Sequence, residues 1–425
     1  MFITGTAKFL LYVGLAVHVA LRYLCRPRLF GWRPWRYVVF LKRALRLLVT
    51  FRHGKAVRVP RGIKIHLYLP AWPTPAFFHA IEHKLLQQPP GPITVVYSMT
   101  RACRYKCPHC YQRHDHGDDL ADHMLYDVAR QLNAAGVAMF DIEGGEPFRR
   151  YQRLLGLVRA IGPKAELWAN TSGDGVDGDR LAELRVAGLH GLMVSVHSPE
   201  AGAHDAFTGV PGSFEVACEA LRLCGEYGLI AAVNSVLDED ELRAGKLDEL
   251  MALATELRCH FVQLIHPKPS GAWLGKEDGL QQDSDLLASI RARHREYNSG
   301  RHPQAPALAA QVFEEQPHVF GCTAGAVDRF YVNANGEVQP CEFLNISFGN
   351  LQEDSWQTIL ARLRAAFPTP GTDWLCCTQA QAIRELIDAV EPRRTPLLWS
   401  RTKELVATWD RGPQTPLYQR LGIYR

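Results

Sequence analysis

The chain has 425 residues, 47% of them hydrophobic and 22% charged, a net charge of only +4, and eleven cysteines. This is the composition of an ordinary globular protein with room for two or three domains, and it carries no repeat at solenoid periods. The cysteines cluster instead of forming a disulfide-like pattern, which argues against an extracellular disulfide scaffold and for metal ligation in a reducing compartment.

The small net charge hides an asymmetry. Residues 1–64 carry 14 Lys and Arg and no acid, and the first acidic residue is Glu82, which leaves 34 basic against 44 acidic residues for the rest. A basic head on an acidic body points to a separate task for the head. Residues 9–21 are uncharged and mostly apolar, short for a membrane span of roughly 20 residues; residues 2–24 reach that length only if Lys8 and Arg22 snorkel. Next comes Trp32-Arg33-Pro34-Trp35-Arg36. On a helical wheel over 37–51 and its approach, Arg36, Lys42, Arg43 and Arg46 share one arc. Tyr37, Leu41, Ala44, Leu45, Leu48 and Val49 lie opposite. That pattern describes an interfacial membrane helix, and the basic flank would keep the body on the cytoplasmic face. Packing of this helix on the protein's own core is the competing reading. Nucleic-acid binding has no reading motif to support it.

Pro-rich stretches at 69–75 and 89–92 read as linker. From residue 93 strands and helices alternate. Strand-like runs lie at 93–99, 138–143, 166–170, 191–197, 230–237 and 261–265, with helical patterns at 120–135, 151–161, 179–187, 213–227 and 246–257. Six strands separated by five helices imply an α/β fold with a parallel sheet, and suit an open, partial (β/α)6 TIM-like barrel whose site sits at the strand C-terminal ends.

The loop after the first of these strands holds Cys103, Cys107 and Cys110. Iron–sulfur clusters usually take four Cys thiolates. Three close ligands leave one iron open, and an open position separates a catalytic metal site from a closed structural one. A zinc site completed by His109 or His114 is the alternative. The second strand ends in Asp141-Ile142-Glu143-Gly144-Gly145-Glu146-Pro147, where two glycines permit positive φ and close backbone approach to a ligand. The third and fourth end in Asn170-Thr171-Ser172 and Ser195-Val196-His197-Ser198, short polar groups suited to a ribose or a carboxylate. Cys218, Cys224 and Cys259 read as buried small apolar residues. The loop 113–119 reads as solvated rather than as a second metal site. Near the C-terminus, Cys322 is followed by a hairpin-like stretch at 330–338, then Cys341, and later Cys376 and Cys377.

The C-x3-C-x2-C loop resembles the cluster loop of the radical S-adenosylmethionine (radical SAM) superfamily. The segment 204–214 and the C-terminal cysteine set resemble its SPASM/twitch branch. The likeness covers roughly residues 93–380 and leaves 1–92 outside. It implies a [4Fe-4S] cluster on Cys103, Cys107 and Cys110 whose open iron chelates SAM. Reduction by an external electron donor would then yield a 5′-deoxyadenosyl radical that abstracts hydrogen from substrate. It further implies SAM contacts from Gly144, Gly145, Glu146 and Pro147, with His109, Asn170 and Ser195 as added candidates. One auxiliary [4Fe-4S] cluster is implied on Cys322, Cys341 and one or both of Cys376 and Cys377. Two departures stand out: Thr208 occupies the place of a usual Arg, and His197-Ser198 that of a common Asp-Gly.

The expected organisation is a membrane-anchoring segment at 1–62, a Pro-rich linker at 63–92, a radical SAM core at 93–300, a SPASM/twitch-like domain at 301–390 and a tail at 391–425. The basic apolar head leads us to expect a lipid-like substrate drawn from a membrane surface, no nucleic acid, and a place on the cytoplasmic face of the membrane. A peptide maturase is the other enzymatic reading. A non-catalytic metal scaffold at the membrane is the third.

Overall fold

The computed structural model describes residues 1–87, 89–275 and 284–424. In chain order the head gives β1 (Phe2–Ile3), α1 (Gly5–Leu24), α2 (Pro34–Thr50), β2 (Ala56–Val59), β3 (Gly62–Lys64) and α3 (Pro75–Leu85). The body alternates β4 (Thr94–Ser98), α4 (Asp122–Ala134), β5 (Met139–Glu143), α5 (Tyr151–Ala160), β6 (Glu166–Thr171), α6 (Gly178–Ala187) and β7 (Gly191–Ser195). It continues with α7 (Ala201–Thr208), α8 (Ser213–Glu226), β8 (Ile230–Val236), α9 (Glu239–Arg243), α10 (Lys246–Glu256) and β9 (Phe261–Ile265). These six strands pair in parallel in sequence order, as βαβ crossovers require.

The sheet does not stop there. After α11 (Ser284–Tyr297), β10 (Ala307–Ala310) adds in parallel to β9. After α12 (Gln311–Glu314), β11 (Arg329–Val332) adds in parallel to β4 at the other edge, and β12 (Val338–Gln339) forms a hairpin with it. The hairpin expected at 330–338 is therefore also a wall of the barrel. The two edges are bridged by side chains: Arg329 on β11 donates to Glu315 Oε1 beyond β10 at 2.9 Å.

The lower end of the barrel is plugged by the head. Val57, Val59, Leu67 and Ala71 pack against Met139, Trp168, Met193 and Phe261, the first inward residues of the barrel strands. Lys64 and Glu166 form a buried ion pair there, and Glu166 also accepts from Ala71 N (2.7 Å) and Trp168 Nε1 (2.8 Å).

Residues 63–92 are thus not a spacer. The proline signal marks a helix start: Thr74 caps α3 by accepting from Phe77 N, with Pro75 at the first helical position. Residues 391–424 are likewise not a loose tail. After α13 (Trp356–Ala366), α14 (Leu375–Thr378) and α15 (Ala380–Asp388), they form α16 (Trp399–Ala407) and α17 (Pro416–Leu421). Leu417, Tyr418, Leu421 and Ile423 are buried, and Lys84 ties α3 to Asp328. Cys218, Cys224 and Cys259 are buried as expected.

Candidate active site

The cysteine loop leaves β4 and lies directly over the glycines that end β5. Met99 N donates to Glu143 O at 2.8 Å, Gly145 N to Thr100 O at 2.7 Å and Glu146 N to Ala102 O at 2.8 Å. Gly144 sits at φ +144°, and a Cβ there would stand 2.2 Å from Thr100 O; one on Gly145 would stand 2.4 Å from Ala102 O. The close approach these glycines permit is first of all to the backbone of the cysteine loop. Cys103 is exposed, while Cys107 and Cys110 are half-buried. Burial, with Cys110 and Cys103 alongside, pushes the Cys107 thiol up to about 12. A metal takes these side chains as thiolates, so cluster binding would displace their protons. Among the described residues no three His, Cys, Asp or Glu side chains close on a single metal ion.

Glu146 corrects an expectation. It is fully buried, and its carboxylate accepts from Ser172 N (2.8 Å), Ser172 Oγ (2.6 Å), Thr171 Oγ1 (2.7 Å) and Phe148 N (3.1 Å). Four protein donors saturate it, so this side chain is a strut between the ends of β5 and β6 and not a ligand for an ammonium group. Pro147 is buried and opens a single turn, Pro147–Arg150. Ser195 ends β7 half-buried and lies outside the lining of the barrel cavity. His109 stacks into an aromatic cluster, its ring 4.6 Å from that of His197, 5.0 Å from Phe207 and 5.8 Å from Trp273. Burial holds its imidazole at about 4, hence neutral, and its Nδ1 is buried without a partner. Phe207 belongs to the segment 204–214, which buttresses the cysteine loop: Lys106 N donates to Thr208 O at 2.9 Å. Thr208 is occupied with Ser213 Oγ at 2.7 Å and supplies no cation here.

Inside the barrel lies a cavity. Its wall takes polar residues from strand after strand: Asp141 and Glu143 on β5, Asn170 on β6, Asn234 on β8, Gln263 on β9 and Arg329 on β11. Glu143 accepts from the Tyr111 hydroxyl, just past Cys110, and from Asn170 Nδ2 at 3.3 Å; burial raises its carboxyl to about 8. Four buried acceptors on this wall have no donor among the described residues: Asp141 Oδ1, Asn170 Oδ1, Asn234 Oδ1 and Gln263 Oε1. Orphaned acceptors cost about 1–3 kcal/mol each unless a ligand or water supplies the hydrogen. The cavity therefore fits a ligand rich in N–H and O–H groups or positive charge. Of these residues the sequence reading singled out Asn170 alone. Asp141/Glu143, two residues apart in an apolar strand, was the available signal, because i and i+2 share a face.

The second cysteine set gathers where the C-terminal region closes on the barrel. Cys322 and Cys341 are buried, Cys376 and Cys377 half-buried. Hydrogen bonding to Cys377 and burial hold the Cys376 thiol well above its ordinary value, and Cys341 acts on it in the same direction. Three cations lie beside the set, Lys268 and Arg411 buried and Arg329 half-buried: Arg329 3.8 Å from Cys341 Sγ, Arg411 3.4 Å from Cys322 O, and Lys268 over the Trp374 ring. Among the described residues, Lys268 Nζ, Arg329 Nε and Arg411 Nε find no acceptor. Arg329 is paired with Glu315 and Glu342, and Arg411 donates to Thr369 O at 2.6 Å; positive charge beside four thiols suits an anionic thiolate cluster.

The comparisons agree with this geometry. Residues 97–241 match the radical SAM superfamily and residues 322–367 the SPASM iron–sulfur cluster-binding domain, a match that takes in Cys322 and Cys341. The chain is 23% identical over 288 residues to the AdoMet-dependent heme synthase of Oleidesulfovibrio alaskensis, covering 62% of this chain and 73% of that one. It is 26% identical over 307 residues to the PqqA peptide cyclase of Xanthomonas euvesicatoria, covering 67% and 78%. Among solved structures, Streptococcus suis SuiB bound to its precursor peptide SuiA has the same fold at a TM-score of 0.53 and 17% identity, over 76% of this chain and 78% of that one. With the triple-cysteine loop, the glycine pair beneath it and a second cysteine set in order along one barrel, this chain is a radical SAM enzyme with a C-terminal SPASM domain, using SAM, a [4Fe-4S] cluster and auxiliary iron–sulfur ligation.

Proposed function

We propose that the enzyme abstracts a hydrogen atom from a peptide held in the barrel lumen. Cys103, Cys107 and Cys110 would hold the cluster, and with SAM it would supply the 5′-deoxyadenosyl radical. The chain's own part is to seat the substrate, keep water out and fix the distance to the abstracted hydrogen. The observation that carries the reading is the row of donorless acceptors from Asp141 to Gln263. A peptide presents N–H groups at short regular intervals and can satisfy them, whereas a hydrocarbon has none to offer. Support also comes from two relatives, one named for cyclising the peptide PqqA and one seen with a precursor peptide. Auxiliary ligation by Cys322, Cys341 and the Cys376–Cys377 pair would stand beside the same lumen, since Arg329 and Glu342 line it.

A second reading rests on a different observation. Between α1 and α2 runs an apolar cleft, and Leu47, Phe51 and Leu69 wall both this cleft and the lumen. An amphiphile with its chain in the cleft and its polar head in the lumen would fit. One experiment separates the two. Cells that express the chain natively are grown in deuterated medium, and their peptide and lipid pools are offered separately to reconstituted enzyme with unlabelled SAM. Deuterium in 5′-deoxyadenosine from the peptide pool supports the first reading, and from the lipid pool alone the second. Deuterium from neither pool, with SAM cleaved, would sink both.

A further inference from the structure

Helix α1 is long and apolar enough to cross a membrane, yet it is pinned to the body along its length. Lys8 Nζ donates to Arg52 O at 2.6 Å, the Tyr12 hydroxyl to Phe51 O at 2.9 Å and the Tyr23 hydroxyl to Glu82 Oε1 at 3.0 Å. The ring of His18 sits edge-on to both Trp72 and Phe78 at 5.5 Å. A helix with one face fastened to a polar, folded body is not a span.

Its other face is a stripe of exposed side chains: Phe9, Leu10, Val13, Val17, Leu21 and Leu24. At 1.5 Å per residue this stripe runs about 22 Å. Trp32, 68% exposed, and Trp35 stand at the turn into α2. Arg28, Arg33, Arg36 and Lys42 are exposed around them, and no acidic residue precedes Glu82. A continuous apolar patch of this kind on a soluble protein marks an interaction surface. The basic arc expected on α2 is divided: Arg43 and Arg46 are engaged with the carbonyls of Leu421, Gly422 and Arg420, which fastens the C-terminal helix to the same face.

We propose that this face docks on an anionic phospholipid surface, with α1 lying in the plane of the interface. Aliphatic side chains would enter the acyl boundary, the two tryptophans would sit at headgroup level, and the cations would meet phosphates. Charge selects this occupant. A second copy of the chain would bring two basic, acid-free heads together, which like-charge repulsion opposes. The inference stands apart from the substrate: a docked enzyme would hold its barrel at the membrane for either reading.

The test is co-sedimentation of the full-length reconstituted enzyme with vesicles of phosphatidylcholine, alone and mixed with phosphatidylglycerol. Binding to the anionic vesicles is expected, weakening with salt. The variants F9S/V13S/V17S and W32S/W35S should each partition at least about tenfold less, with iron loading and SAM cleavage unchanged. Should a serine variant fold poorly, a spin-labelled lipid is used instead: it should quench the wild-type tryptophan fluorescence, and W32F/W35F should remove that quenching. Several outcomes would overturn the proposal. These are no pelleting with either vesicle, pelleting undiminished in folded variants, absence of quenching, or a dimer that the serine variants dissolve while vesicles go unbound.

Discussion

The two ends of the barrel treat buried polarity in opposite ways. At the lower end every charge has its partner: Lys64 donates to Leu69 O at 2.8 Å and pairs with Glu166, whose remaining acceptor capacity goes to Ala71 N and Trp168 Nε1. Higher in the same strands, Asp141, Asn170, Asn234 and Gln263 each keep a buried oxygen with nothing to accept from. The wall is built by one alternation of inward residues, yet one layer is closed and the other is left to be completed by a ligand. A saturated buried group is structure; an unsatisfied one at the mouth of a cavity is a site.

The largest effect should come from the open end. Cys107→Ala is expected to reduce SAM cleavage to background while leaving the fold intact, because an unligated loop cysteine packs no core. Iron per chain should fall by about half, the rest staying with the second set, if each set holds a [4Fe-4S] cluster. Iron and sulfide counts with a dithionite-dependent 5′-deoxyadenosine assay check this; full cleavage in the variant would remove Cys107 from the site.

The closed end should answer with stability instead. Lys64→Met strands Glu166 as an unpaired buried charge and is expected to cost about 3–5 kcal/mol, whereas Lys64→Met with Glu166→Leu should recover most of it. Urea unfolding of the apoprotein measures both. If the single variant lost less than the double, the pairing at this end would not be what holds the plug.

Between these lies the contact of the cysteine loop with the glycine pair. Gly144→Ala places a Cβ against Thr100 O and asks an L residue to hold φ +144°. The loop must shift, so iron loading at the first site should fall several-fold with little change at the second. The charge-transfer absorbance of the reconstituted protein reads both. Unchanged loading would mean that the loop is tolerant and that its backbone bonds do not set the thiol positions.

Much of this was legible in sequence because it rests on local pattern. Six strand runs, the spacing of Cys103, Cys107 and Cys110, and the glycines after the second strand are short-range signals. What was hidden is tertiary. The strand Ala307–Ala310 has four residues, two thirds of a typical strand, and no alternation that marks it; the strand starting at Arg329 reads as a hairpin arm until it pairs with β4. Thr74-Pro75 carries the same residues in a linker as at a helix start, and only the burial of Phe77 and Phe78 decides between them. Arg43 meets carbonyls nearly four hundred residues away, so its wheel position said nothing about its partner. The orphaned acceptors of the lumen were hidden for the same reason: each is one residue on its own strand, and only the closed sheet brings them to one cavity.

The smallest expected effect sharpens the comparison most. Asp141 lies between the two layers, fully buried, and burial raises its carboxyl from 3.8 to about 7, with Lys64 below it pulling the other way. The folded protein thus keeps this proton over a range where the unfolded chain has released it. Stability should therefore fall as pH rises from about 4 to about 7, because the unfolded state binds fewer protons across that window. Asp141→Asn removes the titration, so its stability should vary less with pH there and be equal to or above wild type near neutrality. Denaturant midpoints of the apoproteins at pH 5 and pH 7.5, chosen as roughly inside and just above the window, give the slope. If Asp141→Asn instead lowered stability at both, the carboxylate would be paired like Glu166, and the boundary between the closed and the open layer would lie two residues higher on β5, at Glu143.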